Sequence, residues 1–277
     1  MHLSPRIFKL VSSLCLVLST SALVMIARAP ASGYEISIYT TNLSPLVWVL
    51  LISSMSGSIF LLVPEALNRD NESNRWLLPF FILAFSSLIV LLLPALKGYV
   101  MYGREDPPVH LGFTKDILST GHFSDDNFYP AVHILESLLS QVTGLSVESL
   151  INFIPPLFSF GYMLFIYLLI KSVCCHKGEI VFASASGAIL LLPHTALAVP
   201  FYLSLLEYPL GLAVFVRAYH HSSFESRLLL ILILLLQPFL HPMAAGMAML
   251  TLILAYLVQA GYFLRGCLLY TSPSPRD

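Results

Sequence analysis

The chain has 277 residues, 57% of them hydrophobic and only 10% charged, with a mean hydropathy of +0.82. Soluble domains carry about 25% charged residues, so a fully water-facing surface is excluded and lipid must solvate much of the molecule. The net charge of −1 excludes a basic nucleic-acid-binding protein, and Cys15, Cys174, Cys175 and Cys267 have neither zinc-site spacing nor a disulfide pattern.

A spanning helix needs ~20 mostly apolar residues. In chain order, the apolar runs predict an all-α, polytopic bundle of about eight spans: 7–26, 46–63, 77–96, 151–170, 180–192, 203–216, 228–240 and 243–264. The first run is preceded by Arg6 and Lys9 and followed by Ala27-Arg28-Ala29, the outline of a signal peptide. Pro30 after the cleavage point and the length of the run favour an uncleaved span. Asn152 and Gln237 interrupt two runs near their ends. No Asp, Glu, Lys or Arg is expected mid-span, which weighs against a pump or ion-coupled transporter.

Lys and Arg favour the cytoplasmic side. With the N-terminus inside, Arg6, Lys9, Arg69, Arg75, Lys171, Lys177, Arg217, Arg227 and Arg265 fall inside, and Arg28, Lys97, Arg104 and Lys115 outside. The chain then divides into three spans (1–96), one long extracytoplasmic loop (97–150) and about five further spans (151–266).

The loop holds much of the charge, including Arg104, Glu105, Asp106, Lys115, Asp116, Asp125, Asp126, Glu136 and Glu148, together with His110, His122 and His133. Asp106 before Pro107-Pro108 predicts a helix start, the acid capping and proline opening the first turn. That helix runs to about Ser119, stops at Thr120-Gly121, and carries His110, Phe113 or Thr114, and Ile117 near one another. A second helix begins near Pro130, with Val132, Leu135, Leu138 and Leu139 as its apolar face. Both are expected to lie along the membrane surface.

Glu105-Asp106, His110-Leu111, 116–121 and Tyr129-Pro130-x-x-His133 together resemble the first catalytic loop of GT-C class membrane glycosyltransferases, which use polyprenyl-phosphate-linked sugars. The resemblance covers roughly thirty residues and the general layout of spans. It implies transfer of a sugar from a polyprenyl-phosphate donor, in the bilayer, to an extracytoplasmic acceptor glycan, lipid or protein. Asp106 is then the general base and Glu105 its alternate; Asp106 as a simple helix cap is compatible with both. His110 orients the base or contacts the phosphate, Arg104 or Lys115 pairs with the phosphate, and His133 is either a site residue or an interfacial histidine. Two departures stand out. The acidic loop follows the third span rather than the first, and the next outside stretch offers only His194 and Glu207 where several metal-dependent members carry a DxD-like motif. The metal requirement stays open. His241-Pro242 in a later outside turn fits the class pattern weakly. Transport or flipping of a lipid-linked glycan, and a partner-binding membrane protein, are the rival readings.

The final residues 267–277, CLLYTSPSPRD, resemble a translated transposase-type sequencing adapter (TGT CTC TTA TAC ACA TCT, then CCG AGC CCA CGA GAC). The expectation is a C-terminally truncated fragment whose own sequence ends near Gly266.

Overall fold

The computed structural model describes residues 4–29, 31, 38–39, 43–67, 74–103, 105–174, 176–189, 197–221 and 223–270, with backbone alone at 259–260 and 262–270. Every regular element among them is a helix: α1 (Pro5–Arg28), α2 (Pro45–Leu67), α3 (Leu77–Leu91), α4 (Leu93–Leu96), α5 (Asp106–Thr120), α6 (Ala131–Thr143), α7 (Val147–Val173), α8 (Lys177–Ile189), α9 (Pro200–His221), α10 (Phe224–Leu240) and α11 (Pro242–Tyr270). Four of them, α1, α2, α7 and α9, are long and apolar enough to cross a membrane. The other predicted spans coincide with shorter apolar stretches or helices with charged first turns. α11 continues into the adapter-like segment as far as Tyr270; residues 271–277 lie outside the described residues.

Three elements depart from expectation. The 77–96 run is not one helix but breaks at Leu92. Pro94 has no N–H to give the Val90 carbonyl, and the Tyr39 hydroxyl donates to that oxygen instead at 3.4 Å. Secondly, Glu207, counted above with an outside stretch although the 203–216 run contains it, lies inside α9, which starts at Pro200, so the bundle does carry an acid within an apolar helix. Thirdly, α5 begins at Asp106 itself: the cap position belongs to Glu105, whose side chain makes no capping bond.

α1 and α2 pack along a seam of small residues. α1 buries Phe8, Ser12, Cys15, Ser19, Ala22 and Ile26, and α2 buries Val47, Leu51, Ser54, Ser58, Leu61 and Glu65. Both sets alternate steps of three and four, the spacing that keeps one face on a partner helix. Lipid gives two apolar helices no hydrophobic reason to associate, so close approach and hydrogen bonds must supply it. Here Ser19 Oγ lies 2.6 Å from Ser54 Oγ and 2.7 Å from Ser86 Oγ of α3. Ser54 donates to the Cys15 carbonyl at 2.8 Å, and Ser86 to the Ile82 carbonyl at 2.9 Å. All three serines are fully buried.

The two ends of the bundle differ in chemistry. At one end Glu65, 6% exposed, faces Arg75 at 4.0 Å and Lys177 at 3.8 Å, joining the end of α2 to the starts of α3 and α8. The Arg75 guanidinium also covers the Phe8 ring at 4.7 Å. The opposite end gathers Tyr39 against Tyr102, the α5–α6 pair, the start of α9 and the α10–α11 junction. There Asn152 of α7 donates to the Tyr99 and Val100 carbonyls at 2.8 and 2.9 Å, fastening the strap that leads into α5.

If the serine seam holds the first three helices, Ser54→Ala costs about 0.6 kcal/mol, the usual worth of a hydrogen bond between membrane helices. Ser54→Leu costs about 1–3 kcal/mol through overpacking. Denaturant titration of the purified protein in mixed micelles measures both; leucine tolerated as well as alanine would refute the seam.

Candidate functional site

α5 and α6 form a helical hairpin on the amino-terminal half of α7. Pro107 suits the first turn of α5, where its missing N–H leaves no bond unmade. Gly121 and Gly144 end the two helices in left-handed conformations at φ 80° and 70°, as an achiral residue readily does. Leu111 of α5 packs with Val147, Ile151 and Ala198. Val132 of α6 packs with Ile154, Leu203, Leu206 and Leu240.

Between the two helices the contacts are polar. His110 Nδ1 lies 3.0 Å from His133 Nε2, with the rings stacked at 5.1 Å. His133 Nδ1 lies 3.0 Å from Asn127 Oδ1. One turn further along, Thr114 donates to Glu136 Oε2 at 2.6 Å, and Ser137 donates to the Thr114 and His133 carbonyls. All six side chains are at most 6% exposed. The face of α6 turned inward is therefore Val132, His133, Glu136 and Ser137. Of the apolar face expected from the sequence, Val132 is buried and Leu139 part-buried, while Leu135 and Leu138 point outward at 37% and 53% exposure. Burial of groups that must be hydrogen-bonded outranks burial of leucine when the surroundings are apolar as well.

Electrostatics follow from this packing. Burial, with His110 beside it, pushes the His133 imidazole down to about 3. Burial also lowers His110; Asp106 one turn back opposes this and His241 adds to it. Burial pushes Glu136 up to about 7 despite the hydroxyl of Thr114. The hairpin thus holds two neutral imidazoles and a carboxyl close to its midpoint at neutral pH.

His241, between α10 and α11, closes the group. Its ring lies 4.9 Å from that of Tyr129 and 5.0 Å from that of Phe201, and Tyr129 stands 6.1 Å from His110. Burial lowers the His241 imidazole too, and its Nδ1 is buried without a protein partner. Asn127 Nδ2 is likewise buried and unpartnered.

The predicted residues divide. Asp106, His110 and His133 come together, Asp106 on the exposed rim and the imidazoles beneath it. Glu105 is exposed beside Asp106 with φ at 63°, the one positive φ outside glycine among the described residues. Lys115 is directed elsewhere, pairing with Glu148 of α7 at 2.5 Å. His122 is exposed at the far end of α5 and contacts Thr120. Arg104 and His194 lie outside the described residues. Among the described residues no group of three His, Cys, Asp or Glu is arranged to hold a metal ion. Sequence reasoning gave no role to Glu136 or Asn127 and little weight to His241. The signal for Glu136 was present: polar residues recur on facing helices as His110/Thr114 and His133/Glu136/Ser137, each set three or four apart.

No family model, curated protein or solved structure matches this chain. The glycosyltransferase resemblance of 105–133 therefore stands on those residues alone.

The two buried titrations pull stability in opposite directions. His133 binds a proton less readily folded than unfolded, so its contribution is complete above its ordinary pKa of 6.5 and is lost as pH falls toward 3. Glu136 contributes fully below its ordinary 4.5 and loses that contribution as pH rises through 7. Glu136→Gln keeps an acceptor for Thr114 but cannot ionise. The melting temperature of this variant, relative to the parent, is expected to climb between pH 4.5 and 7 and stay level below 4.5. A difference that is flat across the whole range would mean that Glu136 is not buried as described.

Proposed function

We propose that the protein is a membrane glycosyltransferase that moves a sugar from a polyprenyl-phosphate donor to an extracytoplasmic acceptor hydroxyl. The observation that carries the reading is the assembly of Asp106, His110 and His133 at one end of the bundle, on a hairpin whose outer face is apolar.

The topology consistent with this reading has eight spans: α1, α2, α3 with α4, α7, α8, α9, α10 and α11. Lys177, Arg75 and the start of α1 then sit at the cytoplasmic end and the hairpin at the outer surface. Exposed Leu135, Leu138 and Val142, the last 83% exposed, provide an apolar underside for the boundary between headgroups and acyl chains. A lipid-linked donor in that boundary reaches the rim of α5 without leaving the membrane.

The chemistry asks for three things at that rim. The acceptor O–H bond must break as its oxygen attacks the anomeric carbon, positive charge must be tolerated on the sugar ring, and the bond to the phosphate must break with its electron pair. Asp106 takes the proton, being exposed and free of any ion pair among the described residues. A single base opposite the leaving group implies inversion at the anomeric carbon. Lys115, engaged with Glu148, is a poor choice for the phosphate, which leaves Arg104 as the basic residue nearest Asp106 in the chain.

One observation favours a rival, translocation of a lipid-linked glycan: Glu207 within α9, since an acid in a spanning helix commonly marks a pathway. The two readings separate by mutation. As a transferase, Asp106→Asn lowers sugar transfer from a polyprenyl-phosphate donor by about 10²–10⁴-fold in membranes, with unchanged insertion, and Glu207→Gln retains activity. As a translocator, Glu207→Gln is the damaging change and Asp106→Asn is silent. Orientation is tested by Asp125→Cys, which should react with a membrane-impermeant maleimide from outside intact cells; labelling only after lysis would place the hairpin in the cytoplasm and end the proposal.

A further inference from the structure

The hydrogen-bond chain through Asn127, His133 and His110 has a direction. Asn127 Oδ1 can only accept, so the ring nitrogen facing it, His133 Nδ1, carries the proton. A neutral imidazole carries one proton, so His133 Nε2 is bare and accepts. The nitrogen opposite it, His110 Nδ1, must then donate. That leaves the proton of neutral His110 on Nδ1 and a lone pair on Nε2. Both imidazoles are buried against charge, His133 at 0% exposure and His110 at 6%, so neither escapes the constraint by taking a second proton.

We propose that Asn127 and His133 are positioning residues that lock His110 in the Nδ1-protonated tautomer, so that its Nε2 meets the substrate as a hydrogen-bond acceptor and selects a hydroxyl group rather than the donor phosphate. The inference rests on the transferase reading for the identity of that hydroxyl, but the tautomer itself does not. An anionic phosphate needs donors or positive charge, and His110 Nε2 offers neither. A sugar or polyol hydroxyl needs an acceptor. Asp106 and His110 Nε2 then give two acceptors one helical turn apart on α5, suited to a substrate that carries more than one hydroxyl. The groups that bear on the charge of His110 are Asp106 on its own helix and His241 at the α10–α11 junction, with His133 of α6 as its hydrogen-bond partner and Tyr129 as a further polar ring nearby. Glu148 of α7 is engaged with Lys115 of α5, and Glu136 of α6 accepts from Thr114.

Ring-¹⁵N-histidine spectra of the full chain in nanodiscs test this, with His110 and His133 assigned through their His→Gln variants. At pH 7 both residues should show a protonated Nδ1 and a bare Nε2. Asn127→Asp, which keeps an acceptor at Nδ1 of His133, should preserve the pattern. Asn127→Leu should release it, moving the two His110 nitrogens toward a common average. Inorganic phosphate should leave the His110 Nε2 signal in place. A His110 protonated on Nε2 or on both nitrogens, or a shift of Nε2 toward the protonated position on phosphate addition, overturns the proposal. If Asn127→Leu fails to fold, the parent spectrum decides alone. The expected tautomers in a protein without transfer activity would refute the transferase reading and leave the lock standing. Activity together with the wrong tautomer would do the reverse.

Discussion

The hairpin end of this molecule depends on two helices that meet through their polar faces. An apolar pair of helices in an apolar medium can slide with little change in energy, because leucine against lipid is nearly as good as leucine against leucine. The α5–α6 pair cannot. His110 must find His133 while Thr114 finds Glu136, and these pairs match in only one register. Each buried group would otherwise lose its hydrogen bonds at a cost of about 1–3 kcal/mol. Polar complementarity thus sets the placement of Asp106 and of the exposed rim of α5 that carries it.

Much of the architecture was legible in the sequence because apolar runs in this chain end at proline, glycine or charge. Each predicted span has a helix, and α5 stops at Gly121 as its sequence implies. The rest was not legible. Hydropathy averages over all faces of a helix and cannot say which one is packed. It marked Val132, Leu135, Leu138 and Leu139 as the apolar face of α6 without showing that Val132 packs on the bundle beside imidazole and carboxyl while Leu135 and Leu138 stay exposed. The break at Leu92 needed knowledge that Tyr39 would take over the carbonyl released by Pro94. Glu207 was counted with an outside stretch by analogy with the class's second acidic loop, although the 203–216 run contains it and α9 carries it within the helix.

The candidate site was half legible. Asp106, His110 and His133 stood out through the resemblance of 105–133 to a catalytic loop, with Asp106 also readable as the start of a helix. Glu136 and Asn127 were passed over because an isolated acid or amide in a charged segment reads as solvated. Only the pairing of the helices shows that both are buried. His241 belongs to the same group through Tyr129 and Phe201, a contact between segments more than a hundred residues apart that no local pattern encodes.

The split character of α6 ties the hairpin to whatever surrounds it. Leu135 and Leu138 share a short helix with His133 and Glu136, so if the hairpin lies in the membrane boundary as proposed, α6 cannot sink, rise or roll there without dragging an imidazole off its partner. Short-chain detergents, which draw a thin and curved shell around a protein, would pull those leucines inward. The histidine pair would come apart while the serine-bonded helices beneath stayed folded. A preparation that looks intact by helicity and melting could therefore have lost its centre, and the acyl-chain length chosen at extraction becomes part of the chemistry being measured.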